Sequence, residues 1–197
     1  MIPILILAGG GSTRMGGRDK LMEDVGGQPL LRQHARQALA LGGPVFVALP
    51  AADHPRAAAL AGLDVQVLAV ADAAEGMSGT MRGAVAMLPK CEAFMMVLAD
   101  LVAIDASDLR RIDQARTDNP DFVIWRGATA DGKSGHPIIF DASLRPEFAK
   151  LHGDGGGEAL VNPRKAQTHL TPLKGRRARL DLDTPQDWDD WRAGRLT

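Results

Sequence analysis

Ile4-Leu-Ile-Leu-Ala-Gly-Gly-Gly-Ser-Thr-Arg-Met-Gly-Gly-Arg-Asp-Lys20 is the stretch from which the rest of the chain is read. The apolar run from Ile4 to Ala8 reads as a buried strand. It stops abruptly at Gly9, Gly10 and Gly11, and Gly16 and Gly17 follow, with Arg14 before them and Lys20 after. Glycine lets the backbone approach a ligand closely. Successive backbone N–H groups in such a turn form a concave, partly positive nest. Arg14 adds a planar fork of donors and Lys20 a point charge. Polyphosphate is the ligand this arrangement suits best. Neither common phosphate motif describes it. Gly11 and Gly16 have P-loop spacing, but Gly17 and Arg18 stand where Lys and Ser/Thr are needed, and the dinucleotide fingerprint fails at Arg14.

At 197 residues, with 24% charged and 45% hydrophobic residues, the chain suits one globular domain with a sizeable core over 1–197. A net charge of −1 argues against a broad nucleic-acid surface. The single cysteine, Cys91, excludes an internal disulfide and reads as an inert thiol at the edge of the core. No apolar run approaches the roughly 20 residues of a membrane span. The N-terminus lacks the basic segment of an export signal, so a cytoplasmic protein is expected.

Outward from the glycine stretch, β-prone runs alternate with helical patterns. Strands are expected at Val45–Leu49, Val65–Val70, Phe94–Ala99, Phe122–Arg126, Ile138–Phe140 and Leu180–Leu182, with another ending near Leu170. Helices are expected from Pro29 to Leu41, over Met81–Leu88, Asp105–Thr117 and Leu144–Leu151, and from Thr184, whose hydroxyl precedes Pro185 and Asp187 as an N-cap should. Ala51–Ala61 reads as a short helix from about Pro55, and Gly153–Gly157 as a second glycine-rich loop. This alternation implies an α/β fold with a doubly wound, mainly parallel sheet. Ligands of such sheets sit at the carboxyl ends of strands, where both the glycine loop and Asp100 fall.

Asp100 emerges from the most apolar strand and is the first choice for a Mg²⁺ ligand, since Mg²⁺ that bridges phosphate oxygens is usually held by one or two carboxylates plus those phosphates. Asp181 and Asp183 lie on one side of the expected last strand. Asp183, nearer its end, is the candidate second metal contact. Glu75-Gly-Met-Ser-Gly-Thr80 pairs a flexible loop with a hydroxyl-rich helix start whose amides suit a base or a phosphate. His136, in Gly135-His136-Pro137, is a candidate for orienting an anionic substrate. Lys174, Arg176, Arg177 and Arg179 read as a solvated face that could meet a phosphate, and Trp188 and Trp191 as core anchors. No Cys/His spacing suits zinc, and no Gly-x-Ser-x-Gly elbow is present.

The opening stretch resembles the signature of the nucleotidyltransferases related to the molybdenum cofactor guanylyl- and cytidylyltransferases. The matching residues are Leu7, Ala8, Gly9, Gly10, Ser12, Arg14, Met15, Gly16 and Lys20. Ala74-Glu-Gly-Met-Ser-Gly-Thr-Met-Arg-Gly83 is similar to a segment of the cytidylyl branch. So are Gly135-His-Pro-Ile-Ile-Phe140 and Leu151-His-Gly-Asp-Gly155, and Leu182-Asp-Thr-Pro185 resembles the family's terminal Asp/Asn-Thr-Pro. The resemblance implies a Rossmann-like nucleotidyltransferase fold. It also implies a nucleotide site made by Leu7, Ala8, Gly9, Gly10, Gly11, Ser12, Arg14 and Lys20, with Asp72, Ser78 and Asp100 contributing. Arg14 and Lys20 would hold the triphosphate, Asp100 would hold Mg²⁺ and all three would act in catalysis; Asp183 as second metal contact and His136 toward the acceptor rest on the residues themselves. Leu7-Ala8-Gly9-Gly10 is closer to the guanylyl branch, so CTP and GTP both stay open. Leu101-Val102-Ala103 departs from the Met/Leu-Pro that the family commonly has after this Asp.

The implied reaction joins CMP or GMP from the NTP to the phosphate of a molybdopterin cofactor, with release of pyrophosphate. A sugar phosphate or other small phosphate is the alternative acceptor. A non-catalytic nucleotide-binding or cofactor-delivery protein, with a molybdenum enzyme as partner, is the alternative of another class. No nucleic-acid or membrane partner is expected.

Overall fold

Side-chain alternation along the first strand sets the layers. β1 (Ile4–Leu7) turns Ile4 and Ile6 to one face and Leu5 and Leu7 to the other, and all four are buried. A strand covered on both faces needs apolar residues throughout, which is why this run does not alternate with polar ones. The computed structural model describes residues 1–153 and 155–196. The remaining strands are β2 (Val45–Leu49), β3 (Gln66–Ala69), β4 (Ala93–Leu98), β5 (Ile124–Ala128), β6 (Ser134–Asp141) and β7 (Thr168–Pro172). They form one seven-stranded sheet in the order β3-β2-β1-β4-β6-β5-β7. Every pairing is parallel except those of β6, which runs against both β4 and β5.

Among the described residues six α-helices cover the sheet: α1 (Leu30–Leu39), α2 (Met77–Met87), α3 (Ala106–Asp118), α4 (Arg145–Phe148), α5 (Glu158–Val161) and α6 (Pro185–Arg192). Leu30 and Leu31 of α1, Leu109 and Ile112 of α3 and Trp188 of α6 pack on the face of Ile4 and Ile6. Met81 and Val85 of α2, Phe148 of α4 and Leu160 of α5 pack on the face of Leu5 and Leu7. Each such buried leucine or isoleucine contributes roughly 1.5–3 kcal/mol relative to exposure. The fold is thus the doubly wound α/β sheet the sequence implies.

The chain leaves β1 for β2 and β3 on one side, then crosses back to place β4 on the other. Sheet order therefore reverses between β1 and β4, and a ligand crevice opens at such a switch point. In register, Leu7 lies beside Leu98. The glycine loop and Asp100 consequently leave the sheet side by side.

Several local expectations change. Leu180–Leu182 is not a strand; only an isolated bridge joins Leu101 to Asp181. The helix expected from Met81 begins at Met77, directly after a 3₁₀ turn over Ala71–Glu75. Ser78, Gly79 and Thr80 are weak helix formers, but all are buried here, and packing overrides propensity. Pro29 caps α1 from outside, and Gly42, at φ +79°, follows its end. Ala51–Ala61 holds a 3₁₀ helix, Pro55–Leu60. The helix expected to reach Leu151 ends at Phe148. Asp154 of the second glycine-rich loop lies outside the described residues.

Candidate active site

The glycine loop is a braced structure. Ser12 has φ +51°, a left-handed conformation that costs a non-glycine residue of order 1 kcal/mol or more. It is held there from three sides. Its hydroxyl donates to Asp19 Oδ1 at 3.3 Å and accepts from the Lys20 amide at 3.2 Å and from Arg56 at 3.3 Å. Gly16 and Gly17, at φ +62° and +88°, complete the reversal toward Lys20.

Arg56 is the principal brace, and the sequence gives no motif that marks it. Its side chain is 3% exposed. Nε and one terminal nitrogen donate to Asp19 at 2.6 and 2.8 Å. The guanidinium also donates to the carbonyls of Ala8 at 2.5 Å and Gly10 at 2.7 Å. Burial works against the Asp19 charge, but Arg56 outweighs it and holds the carboxyl below its ordinary pKa. Asp19 also caps the short turn Lys20–Met22 by accepting from the Leu21 amide. The one readable signal was an Asp directly before the candidate lysine.

On the other flank, Lys20 Nζ sits 2.7 Å from Asp100 Oδ2 and 2.7 Å from Asp183 Oδ1, and Arg14 reaches Asp183 Oδ2 at 2.6 Å. Lys20 and Asp183 are 163 positions apart in sequence. Burial disfavours the ammonium, yet the charges of Asp100 and Asp183 prevail and raise the Lys20 pKa above its ordinary value. Asp183 is held from behind by the capping box of α6, in which Asp187 accepts from the amides of Asp183 and Thr184 at 3.1 and 2.8 Å. Arg192 anchors that helix to the loop after Lys20 by pairing with Glu23 at 2.7 Å.

A cavity of about 690 Å³ lies over this centre. Leu7, Ala8, Gly9, Gly10, Gly11, Ser12, Arg14, Lys20, Asp100 and Asp183 all line it, and Gly76, Met77 and Thr80 form its opposite wall. Gly9 is required where the walls meet, because a Cβ there would lie 2.8 Å from Thr80 Oγ1. The donor set suits a divalent cation. Asp100 Oδ1 is buried without a hydrogen-bond partner, and the other Asp100 oxygen converges with Asp183 on one point. Two carboxylates leave the other positions to phosphate and water, the usual way of holding Mg²⁺. Among the described residues no group of three or more His, Cys, Asp or Glu gathers to hold a metal.

A family model described as the MobA-like NTP transferase domain matches residues 4–170. The chain belongs to this family. Its reaction class is nucleotidyl transfer from an NTP. Among solved structures it is similar to Rv0371c from Mycobacterium tuberculosis H37Rv, at 30% identity and a TM-score of 0.78, over 98% of this chain and 97% of that one. A second Rv0371c structure, a complex with manganese, matches at 27% identity and a TM-score of 0.72, over 99% and 97%. The fold is shared with Mth528, a nucleotidyl transferase from Methanothermobacter thermautotroptrophicus, at 20% identity and a TM-score of 0.79, over 98% and 97%.

Three residues expected at the site of this family member stand apart from the cavity. Asp72 turns its carboxylate to Arg82 at 2.8 Å, while its neighbours Ala71 and Ala73 line the wall. Ser78 is buried within α2 and its hydroxyl has no partner. His136 lies on β6, two residues before Ile138, the partner of Met96 in β4, and there burial and the Arg126 guanidinium depress its pKa to about 4 despite the pull of Asp100. Arg126 itself is buried and donates to the Gly135 carbonyl at 3.1 Å. Asp181 does not join Asp183 at the cavity: the residue is exposed overall, while partial desolvation of its carboxyl and the neighbouring charges of Asp100 and Asp183 raise its pKa. Arg177, from the expected solvated basic run, is instead tied to Asp105, Asp108 and the Ala103 carbonyl. Trp188 is fully buried and stacks edge-on with Trp191, as core anchors do. No helix of the described residues is long and apolar enough to cross a membrane.

Proposed function

We propose that this nucleotidyltransferase joins CMP from CTP to the terminal phosphate of a molybdopterin-type cofactor, with Mg²⁺ as its metal. The observation that carries the reading is the meeting of Lys20, Asp100 and Asp183 in the cavity walled by the glycine loop and by Gly76, Met77 and Thr80. That wall belongs to the segment similar to the cytidylyl branch, which favours CTP over GTP. The close fit of Gly9 against Thr80 gives a packing reason for the first glycine of the pair, so its presence does not argue for GTP.

The acceptor phosphate is already ionised near pH 7, its second pKa being about 6, so no general base is needed. Its oxygen attacks the α-phosphorus in line while pyrophosphate leaves on the far side. Lys20, Arg14 and the loop amides position the triphosphate and meet the charge that develops. Asp100 and Asp183 would hold Mg²⁺, which when bound neutralises phosphate charge and orients the leaving group. Manganese in the Rv0371c complex supports a divalent ion for this chain as well.

The second reading is another small phosphate as acceptor, because His136 does not line the cavity. Pyrophosphate release decides between them, measured with Mg²⁺ and molybdopterin against a panel of sugar phosphates, with CTP and GTP in parallel. Release with CTP and molybdopterin alone is expected. Nucleotide binding without release on any acceptor would leave a nucleotide-binding or cofactor-delivery protein, with a molybdenum enzyme as its partner.

A further inference from the structure

The carboxylates that suit a cation are already occupied by the protein's own cations. Asp183 has both oxygens engaged, Oδ1 by Lys20 at 2.7 Å and Oδ2 by Arg14 at 2.6 Å. Asp100 has Oδ2 engaged by Lys20 at 2.7 Å and Oδ1 buried without a partner. Lys20 therefore sits at the point on which the two carboxylates converge. A divalent ion bound by both would need that position, and a second cation there would be repelled by the ammonium. Arg14 and Lys20 belong to the phosphate loop, and the Arg14 side chain is 70% exposed, so a triphosphate competes with the carboxylates for the same two donors.

We propose that Lys20 and Arg14 lock Asp100 and Asp183 in the nucleotide-free protein, and that the arriving triphosphate draws both cations away, opening the carboxylates to the metal. The inference rests on the reading of the cavity as an NTP site. The lock makes metal and nucleotide binding mutually dependent: each ligand removes the partner that blocks the other, and the coupling is reciprocal. The free protein then holds neither a tightly bound metal nor a vacant phosphate cradle. Nucleotide and metal enter together, which keeps a bare cation from occupying the site without substrate.

The test uses Mn²⁺ alone, followed by electron paramagnetic resonance, on the full-length protein without nucleotide. Lys20→Met is expected to tighten Mn²⁺ binding about tenfold or more over the unsubstituted chain. Arg18→Met removes a nearby positive charge that pairs with Glu23 instead, and is expected to change it by no more than about twofold. A second measurement guards against misfolding of the Lys20 variant. Asp183→Asn should strengthen CTP binding in EDTA by about tenfold, while Asp181→Asn, which removes a neighbouring unpaired carboxylate, should change it by no more than about twofold. Equal Mn²⁺ affinity in Lys20→Met and the unsubstituted protein would overturn the lock. So would equal gains of CTP binding from Asp183→Asn and Asp181→Asn, which would reduce the effect to net charge. Failure of the transfer reading shows separately, as absent pyrophosphate release from a protein in which these binding shifts still occur.

Discussion

Two arginines flank the same glycine loop and behave in opposite ways. Arg56, on one side, is 3% exposed and bound to a carboxylate and two backbone carbonyls. Arg14, on the other, is 70% exposed and has, among the described residues, one charged partner, Asp183. Residue type is the same; burial and the number of fixed partners differ. A buried guanidinium whose donors are shared between a carboxylate and two backbone carbonyls is a structural brace, whereas one that leans on a single accessible carboxylate can be transferred to a ligand. The loop thus carries rigid shape on one flank and exchangeable charge on the other.

The contrast is sharpest at the cavity side, where substitutions should remove activity and spare the fold. Lys20→Ala is expected to lower the rate of pyrophosphate release about a thousandfold or more, through loss of charge stabilisation. Asp100→Ala should abolish the metal-dependent rate. Circular dichroism should show both variants folded, and near-normal turnover in either would remove that residue from the mechanism.

Arg56→Met should show the reverse pattern. It leaves Asp19 and the Ala8 and Gly10 carbonyls without their partner, at a cost of about 3–5 kcal/mol of stability in urea unfolding. Arg14→Met, by the same measurement, should shift stability by less than about 1 kcal/mol while raising the KM for nucleotide about tenfold. Comparable stability losses in the two variants would erase the distinction between brace and ligand donor.

A smaller effect is expected at Gly9. Gly9→Ala should cost about 1–3 kcal/mol by overpacking against Thr80, and Thr80→Ala in the same chain should restore most of it, since it removes both atoms nearest the new Cβ. A loss unchanged by the second substitution would place the strain in the loop backbone.

The smallest effect is on pH dependence. Burial depresses His34 and His136 to about 4, with Arg126 adding to the shift of His136. Unfolded histidine titrates near 6.5, so the unfolded chain takes up more protons between about pH 6.5 and 4. Stability therefore falls as pH drops through that window. A Tm several degrees lower at pH 5 than at pH 7.5 is expected, with a shallower slope in His34→Gln. An unchanged slope would show that His34 has the same pKa in the folded and unfolded states.

Much of this site was legible because it is local. Glycines, an arginine and a lysine within one short stretch mark a tight, positively charged loop whatever surrounds them, and an Asp after an apolar strand marks a carboxylate at the strand's end, and both line the cavity. Expectations at Asp72 and His136 rested on motif position alone. Nothing in a linear string shows that Arg82 takes the Asp72 carboxylate, or that the cavity stops short of β6. For Asp183 the residue was legible but the stated geometry was not: no strand carries it, and the α6 capping box presents it.

The sequence by itself determined the layered α/β architecture and the phosphate-suited loop, since apolar periodicity and glycine chemistry act over a few neighbouring residues. Only the tertiary structure decided which charges meet. The reversal of strand order between β1 and β4 brings Lys20 to Asp100, and α6 brings Asp183 to both. Electrostatic partnership depends on distance in space, and the chain order of these residues does not encode that distance.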